Sequence, residues 1–434
     1  MATIVLNNSY SKLVGLSPEQ FIKLKKELSY CLNPEARFFG GIPRVKSLLS
    51  LDGTFPTGLY AKVLRFLNKH HIIHEVKDYR KVPKAGSQVF SPKNLTQPYP
   101  EQVIACSAAL KYRRGGIVMP TGSGKSLVIA MIAQALSLPT LIIVPNLGIR
   151  DQLRTYLMHI VGRNSNVDVY NIDSPELLTT TKHYDCLIID ECHHAAAKTY
   201  QKLNKKKWND IYYRFFFTAT YFRNDFNEQL PFEAICGEVI YELNIKTAID
   251  HKLIVPVDAF YVDVPKSVCN EEGWAAVYDE LVVNNEVRNE QIRTLVERVA
   301  ASGRSGIVLV REIEHGRNLH DITGCPFICG DDEDRAALSE FNKGHIPILI
   351  GTVGVLGEGI DTKCCEYVII AGLGKAKSQF MQQVGRAVRR FEGKDSAKII
   401  IFNDRSHRFT KAHFAAQKKI LLDEYGAEVV RLEL

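Results

Sequence analysis

The chain has 434 residues, 46% of them hydrophobic and 24% charged, with a net charge of +7. That balance fits a globular chain with sizeable cores and about three domains of ordinary size, and it excludes a disordered or low-complexity class. No apolar run approaches the ~20 residues of a membrane helix, the opening MATIVLNNSYSK lacks a basic stretch followed by an apolar one, and ten cysteines without repeated spacing suit a reducing compartment rather than a disulfide framework.

The first segment reads as a small α+β module. SPEQFIKLKKELSYCL opens with Ser17, Pro18 and Gln20 in capping-box order and continues with Phe21, Leu24, Leu28 and Cys31 at helical spacing. A second helix is predicted over GLYAKVLRFLNKHH, with Leu59, Val63 and Phe66 aligned, and HIIHEVKDY reads as a strand. Residues 1–95 hold 15 Lys and Arg against six Asp and Glu, whereas the remainder is 40 against 42, so the whole positive excess lies in this first fifth. A basic segment of this kind suits a nucleic-acid backbone or is simply a solvated face. KVPKAGSQVFSPKNLTQPYP, rich in Pro, Gly, Ser and Lys, reads as a linker.

From residue 96 short apolar strands alternate with helical stretches. GGIVMP, TLIIVP, YDCLIID and RFFFTAT form one predicted series, and after the turn at LIVPVD come SGIVLV, PILIGT, EYVIIA and AKIIIFN. Two such series predict an α/β chain with two doubly wound parallel-sheet lobes, at 96–253 and 254–434. KAHFAAQKKILLDEYGAEVVRL reads as a closing helix and tail.

The first lobe carries IVMPTGSGKSLVIAMI, a strand, Gly-rich turn and helix in the order that a phosphate loop requires. Thr121, Gly122, Ser123 and Gly124 form the turn that cradles phosphates. Lys125 would reach the β- and γ-phosphates of ATP, and the Ser126 hydroxyl would ligate magnesium. Met119 stands where the strict pattern has its first Gly. Sixty-five residues after Lys125, LIIDECHHA ends a buried strand in two acids. Asp190 suits the magnesium shell, through water, and Glu191 could orient and deprotonate an attacking water. Cys192, His193 and His194 are consecutive and point apart, which argues against zinc. Cys325, Cys329, Cys364 and Cys365 read as buried thiols.

DECHH, FFFTATYFRND, GTVGVLGEGID and QQVGRAVRR follow one another in an order that resembles the superfamily 2 helicases and translocases over residues 96–405. The resemblance implies two tandem RecA-like lobes. In PYPEQ it implies an adenine-reading role for Gln102, and in IVPN with its downstream Gln152 a nucleic-acid backbone contact involving Pro145, Asn146 and Gln152. It makes Thr218-Ala219-Thr220 the element coupling nucleotide state to strand contacts, although Tyr221 stands where many relatives have Pro. It gives Thr352 a backbone phosphate, and Gly359 and Asp361 the nucleotide sugar and the lobe interface. The final motif takes in Gln382, Gly385, Arg386 and Arg389. The two arginines are expected one helical turn apart, and Arg386 lies 261 residues beyond Lys125. Their separation from the phosphate loop implies hydrolysis that requires the lobes to close.

DECHHAAAKTY looks more like the DNA-directed groups than the DEAD-box RNA remodellers, and the compact length with its small basic N-terminal module is similar to UvsW-like phage helicases. That resemblance implies a DNA helicase acting on branched DNA, by fork reversal and Holliday-junction migration in replication, recombination or repair. An RNA helicase or R-loop unwinder, and a nucleic-acid-stimulated ATPase that separates nothing, remain the alternatives. The expected setting is a monomer in the cytoplasm, that of the host if the chain is of phage origin, using ATP and Mg2+ and no membrane.

Overall fold

The computed structural model describes residues 1–33, 41–86, 97–162, 166–191, 201–204, 208–219, 226–330, 336–356, 365–372, 374 and 377–434, with backbone alone at 201–202, 226–228 and 378. It divides into two compact units, Met1–Met119 with Lys125–Leu243, and Pro120–Gly124 with Asn244–Leu434.

The first unit contains the N-terminal module and a parallel sheet. Ser17 Oγ accepts from the Gln20 N–H at 3.3 Å and Gln20 Oε1 accepts from the Ser17 N–H at 3.0 Å, so the capping box starts the helix Pro18–Glu27. The helix buries Leu24 and stops before the predicted Cys31, because β3 (Ser29–Cys31) pairs antiparallel with β4 (Val45–Ser47). Cys31 therefore lies on a strand, not on the helix face. The second predicted helix is Tyr60–Lys69, behind a 3-10 turn at Thr57–Leu59. Both rest on a sheet ordered β5-β2-β1-β6, formed by β1 (Ala2–Leu6), β2 (Tyr10–Val14), β5 (Thr54–Pro56) and β6 (His74–Asp78).

The core of this module does not close on itself. Leu230 and Ala234 of the helix Phe226–Cys236 belong to the same cluster as Ile4, Leu24, Phe55, Leu59 and Phe66. A Cβ on Gly58 would lie 2.0 Å from the Glu233 carbonyl oxygen and 2.7 Å from that of Ala234. Gly58→Ala is therefore expected to force the module off this helix at a cost of about 1–3 kcal/mol, read as a lowered urea midpoint.

The larger sheet of the unit is wholly parallel. It runs β12-β7-β11-β10-β8-β9, with β7 (Arg114–Val118), β8 (Thr140–Val144), β9 (Val167–Asn171), β10 (Cys186–Ile189), β11 (Tyr213–Thr218) and β12 (Val239–Glu242). β8, β10 and β11 are buried along their whole length, as continuous apolar runs require when both faces are covered.

The second unit holds a seven-stranded parallel sheet ordered β15-β16-β14-β17-β18-β13-β19. Its strands are β13 (Val257–Val264), β14 (Gly306–Val310), β15 (Phe327–Ile328), β16 (Ile348–Thr352), β17 (Tyr367–Ile370), β18 (Ala397–Asp404) and β19 (Val429–Arg431). The two parallel-sheet α/β lobes expected from the sequence are thus present. Cys329 and Cys365 are buried thiols and Cys325 is half-buried, while Cys364 lies outside the described residues.

Candidate nucleotide and nucleic-acid site

β7 delivers the chain to the phosphate loop. Met119, the position without the first Gly, is fully buried, and its N–H donates to the Thr218 carbonyl at 3.0 Å, tying the loop's entrance to the end of β11. Gly122 and Gly124 have φ of 86° and 87°, a left-handed conformation that a side chain would strain. Between them Ser123 is held inward, its hydroxyl donating to the Pro120 carbonyl at 2.7 Å. Its side chain fixes the turn and is not presented to a ligand. Lys125 and Ser126 open the helix Lys125–Leu136, Lys125 buried and Ser126 half-buried.

Asp190 and Glu191 follow β10, which lies beside β8 and β11. The Asp190 N–H donates to the Ile143 carbonyl at 2.9 Å, so the sheet itself sets the position of this buried carboxylate. Burial first, and then the neighbouring Glu191, push the Asp190 carboxyl up to about 7, against the opposing charge of Lys125. Glu191 has φ of 48°, rare for a residue with a side chain. Its N–H donates to Asp190 Oδ1 at 2.9 Å, and its carboxylate reaches Lys125 Nζ at 3.3 Å, while Nζ also donates to the Met119 carbonyl at 3.4 Å. Lys125 and Glu191 are thus ion-paired. The buried Asp190 carboxylate and the Ser126 hydroxyl at the start of the phosphate-loop helix are oxygen donors of the kind that fits a hard divalent cation such as magnesium. Cys192, His193 and His194 lie outside the described residues.

Gln102 is buried in the helix Pro100–Tyr112, its Oε1 accepting from the Tyr99 N–H at 3.0 Å. Pro145 and Asn146 follow β8. Asn146 caps the helix Leu147–Ile160, its Oδ1 accepting from the Ile149 N–H at 2.9 Å, and Gln152 stands exposed on that helix. Thr218 is buried at the end of β11, and Thr220 lies outside the described residues.

In the second unit Thr352 is the last residue of β16 and is buried. Gly359 and Asp361 lie outside the described residues. Gln382, Gly385 and Arg386 sit on the helix Lys377–Ala387, with Gln382 and Arg386 buried. Arg389 corrects the expectation of one helix face: the helix ends at Ala387, and Arg389 bridges antiparallel to Ile254 while the Val255 N–H donates to the Val388 carbonyl at 2.9 Å. The arginines therefore come from a helix and from a single bridge residue just after it, and their relative placement depends on the turn between them.

Lys394, which no motif flags, holds that turn. Its buried ammonium donates to the carbonyls of Cys365 at 2.5 Å, Arg389 at 3.3 Å and Ala387, and burial pushes its pKa down to about 8. Lys394→Met would leave these carbonyls without that donor. A loss of about 2–3 kcal/mol is expected in urea denaturation, together with weakened ATP turnover through displaced Arg389.

A type III restriction enzyme res-subunit domain matches residues 95–176 and 165–223, and a helicase conserved C-terminal domain matches residues 284–391. With the two lobes and the ordered motifs, these matches define the class: the chain belongs to the superfamily 2 helicases, and it is an ATP-hydrolysing helicase. It is similar to the ATP-dependent DNA helicase uvsW of Enterobacteria phage T4, at 21% identity over 421 residues, spanning 85% of this chain and 83% of that protein. It is also similar to the DNA 3'-5' translocase XPB2 of Sulfurisphaera tokodaii, at 23% identity over 69% of this chain and 80% of that protein. In fold it resembles S. cerevisiae Dbp5 bound to RNA and ADP BeF3, with a TM-score of 0.58 and 16% identity over 77% of this chain and 90% of that one. No helix among the described residues is long and apolar enough to cross a membrane.

Proposed function

We propose that this helicase is a DNA motor that remodels branched DNA, reversing forks and migrating four-way (Holliday) junctions, and that it acts in replication, recombination or repair. The observation that carries the reading is the union, in one compact unit, of the Lys125, Asp190 and Glu191 cluster with a strongly basic module. That module exposes Lys23, Lys26, Arg44, Lys46, Lys69 and Lys77, cations that grip phosphates of any sequence and so favour recognition by shape. The similarity to a phage DNA helicase spans 85% of the chain, and the arrangement of a small basic N-terminal module ahead of the motor, which resembles UvsW-like helicases, supports the branched substrate.

In this reading Lys125 exchanges its Glu191 partner for the β- and γ-phosphates, and Glu191, released, orients and deprotonates water. Thr121, Gly122 and Gly124 offer backbone N–H groups to the phosphates, and Ser123, whose N–H donates to the Pro120 carbonyl at 3.2 Å, closes the turn that presents them. Asp190, through water, and Ser126 would hold magnesium, which supplies charge neutralisation on the phosphates. Gln102 reads the adenine, and Gly359 and Asp361 approach the sugar. Arg386 and Arg389, with Gln382, stabilise the charge that develops on the transferred phosphoryl group. Pro145, Asn146, Gln152 and Thr352 contact the nucleic-acid backbone, and Thr218 and Thr220 transmit nucleotide state to those contacts.

A four-way junction with one labelled strand tests the proposal. ATP-dependent conversion of the junction to two duplexes is expected. ATP turnover without any change in the junction or in a labelled fork would leave a translocase that separates nothing, and faster action on RNA duplexes would indicate an RNA helicase.

A further inference from the structure

Two arginines occupy paired positions at the start of the strands that lead to the ATP site. Arg114 begins β7 and Arg214 lies on β11 directly opposite it; four residues on, Val118 and Thr218 are opposite each other. Like charges in facing positions repel, and burial pushes Arg114 down to about 9 and Arg214 to about 10. The fold accepts this cost by turning both side chains onto residues 8 and 9. Arg114 donates to the Asn8 carbonyl, and Arg214 Nη2 donates to Ser9 Oγ at 2.6 Å. Other donors of Arg214 reach the Ile211 carbonyl at 3.1 Å and Asn204 Oδ1 at 2.8 Å. Ser9 passes the contact on, donating to the Asn209 carbonyl at 2.8 Å, and Asn8 Nδ2 donates to the Asp210 carbonyl at 2.6 Å.

The other side of the coupling segment is fastened to the same module. The helix Phe226–Cys236, the next element after β11 among the described residues, buries Leu230 and Ala234 in the module's core, and Glu233 pairs with Lys62 at 3.0 Å. Thr218 thus lies, along the chain, between two attachments to the N-terminal module, one about 13 Å upstream along β11 and one on the next described helix.

We propose that the N-terminal module is the fixed point against which the coupling segment moves, so that it conveys nucleic-acid occupancy to the ATP site through Ser9–Arg214 and Lys62–Glu233. This inference rests on the reading of Thr218–Thr220 as the coupling element. Ser9, Asn8 and Glu233 are positioning residues in it, acting through Arg214, Arg114 and Lys62.

The test uses the full chain carrying Ser9→Ala, Glu233→Gln or both, and compares basal ATP turnover, turnover stimulated by a DNA fork, affinity for that fork and the thermal midpoint. The expected result is a stimulation ratio lowered about threefold or more in each single variant, with fork affinity kept and cooperative unfolding retained. The double variant should fall short of the product of the two, because both act on one segment. A ratio unchanged while the thermal midpoint drops would overturn the proposal and leave the contacts as packing alone. A ratio that falls only as fork affinity falls would also overturn it, pointing to a binding surface. Stimulation absent already in the wild type would instead remove the functional reading on which the inference stands.

Discussion

Glu191→Gln is expected to lower ATP turnover by about 10²–10⁴ while nucleotide binding is kept or tightened. The two halves of that expectation come from different features of one residue. Its carboxylate is the only base proposed beside the phosphate loop, and a neutral amide cannot take a proton from water. The same carboxylate pairs with Lys125 at 3.3 Å and so competes with incoming phosphate for the lysine. Its charge also helps to push Asp190 up, so the amide should favour the ionised Asp190. Steady-state hydrolysis and the affinity for a fluorescent ATP analogue separate the two. A variant that binds nucleotide more weakly in proportion to its loss of turnover would show that Glu191 builds the pocket and does not act on water.

The second large effect is expected at Arg389. Arg389→Ala should lower kcat by about 10³, with KM for ATP and affinity for DNA close to wild type. Arg389 lies against the phosphate loop, its Cγ 3.0 Å from where a Cβ on Gly122 would stand, and an arginine that acts on the charge developing there contributes to the transition state and little to ground-state binding. Arg389 is the cleaner probe of the pair, because Arg386 is buried and its loss would disturb packing as well. Arg390 is the internal control: it is exposed and donates to the Lys252 carbonyl at 2.7 Å, so Arg390→Ala should leave kcat within about twofold. A kcat for Arg389→Ala within about tenfold of wild type would remove it from the proposed machinery.

Legibility in the sequence followed element length and burial. All eight strands named from apolar runs in the two lobes are present, because strands covered on both faces leave unbroken runs such as TLIIV and RFFFT. Strands with partial burial left no such run. β9, Val167–Asn171, alternates polar and apolar residues, and β13, Val257–Val264, carries two aspartates and was hidden behind the turn read at LIVPVD. In the N-terminal module β1 and β2 are five residues each, too short for periodicity to separate them from background. Helix ends were harder still. Cys31 and Arg389 both continue a helical spacing, yet each lies past the end of its helix because a strand or bridge partner far away in sequence claims it. The candidate site was legible where one short segment holds it, as at Lys125 and at Asp190–Glu191. Lys394 was not, since three carbonyls drawn from residues 365 to 389 give a lysine no local signature.

The most direct measurement of the central claim is ATP turnover by the unmodified chain across single-stranded DNA, duplex, fork, four-way junction and RNA at one salt concentration. A motor for branched DNA predicts strongest stimulation by the fork and the junction. Equal stimulation by plain single strands or by RNA, or no stimulation by any nucleic acid, would contradict it.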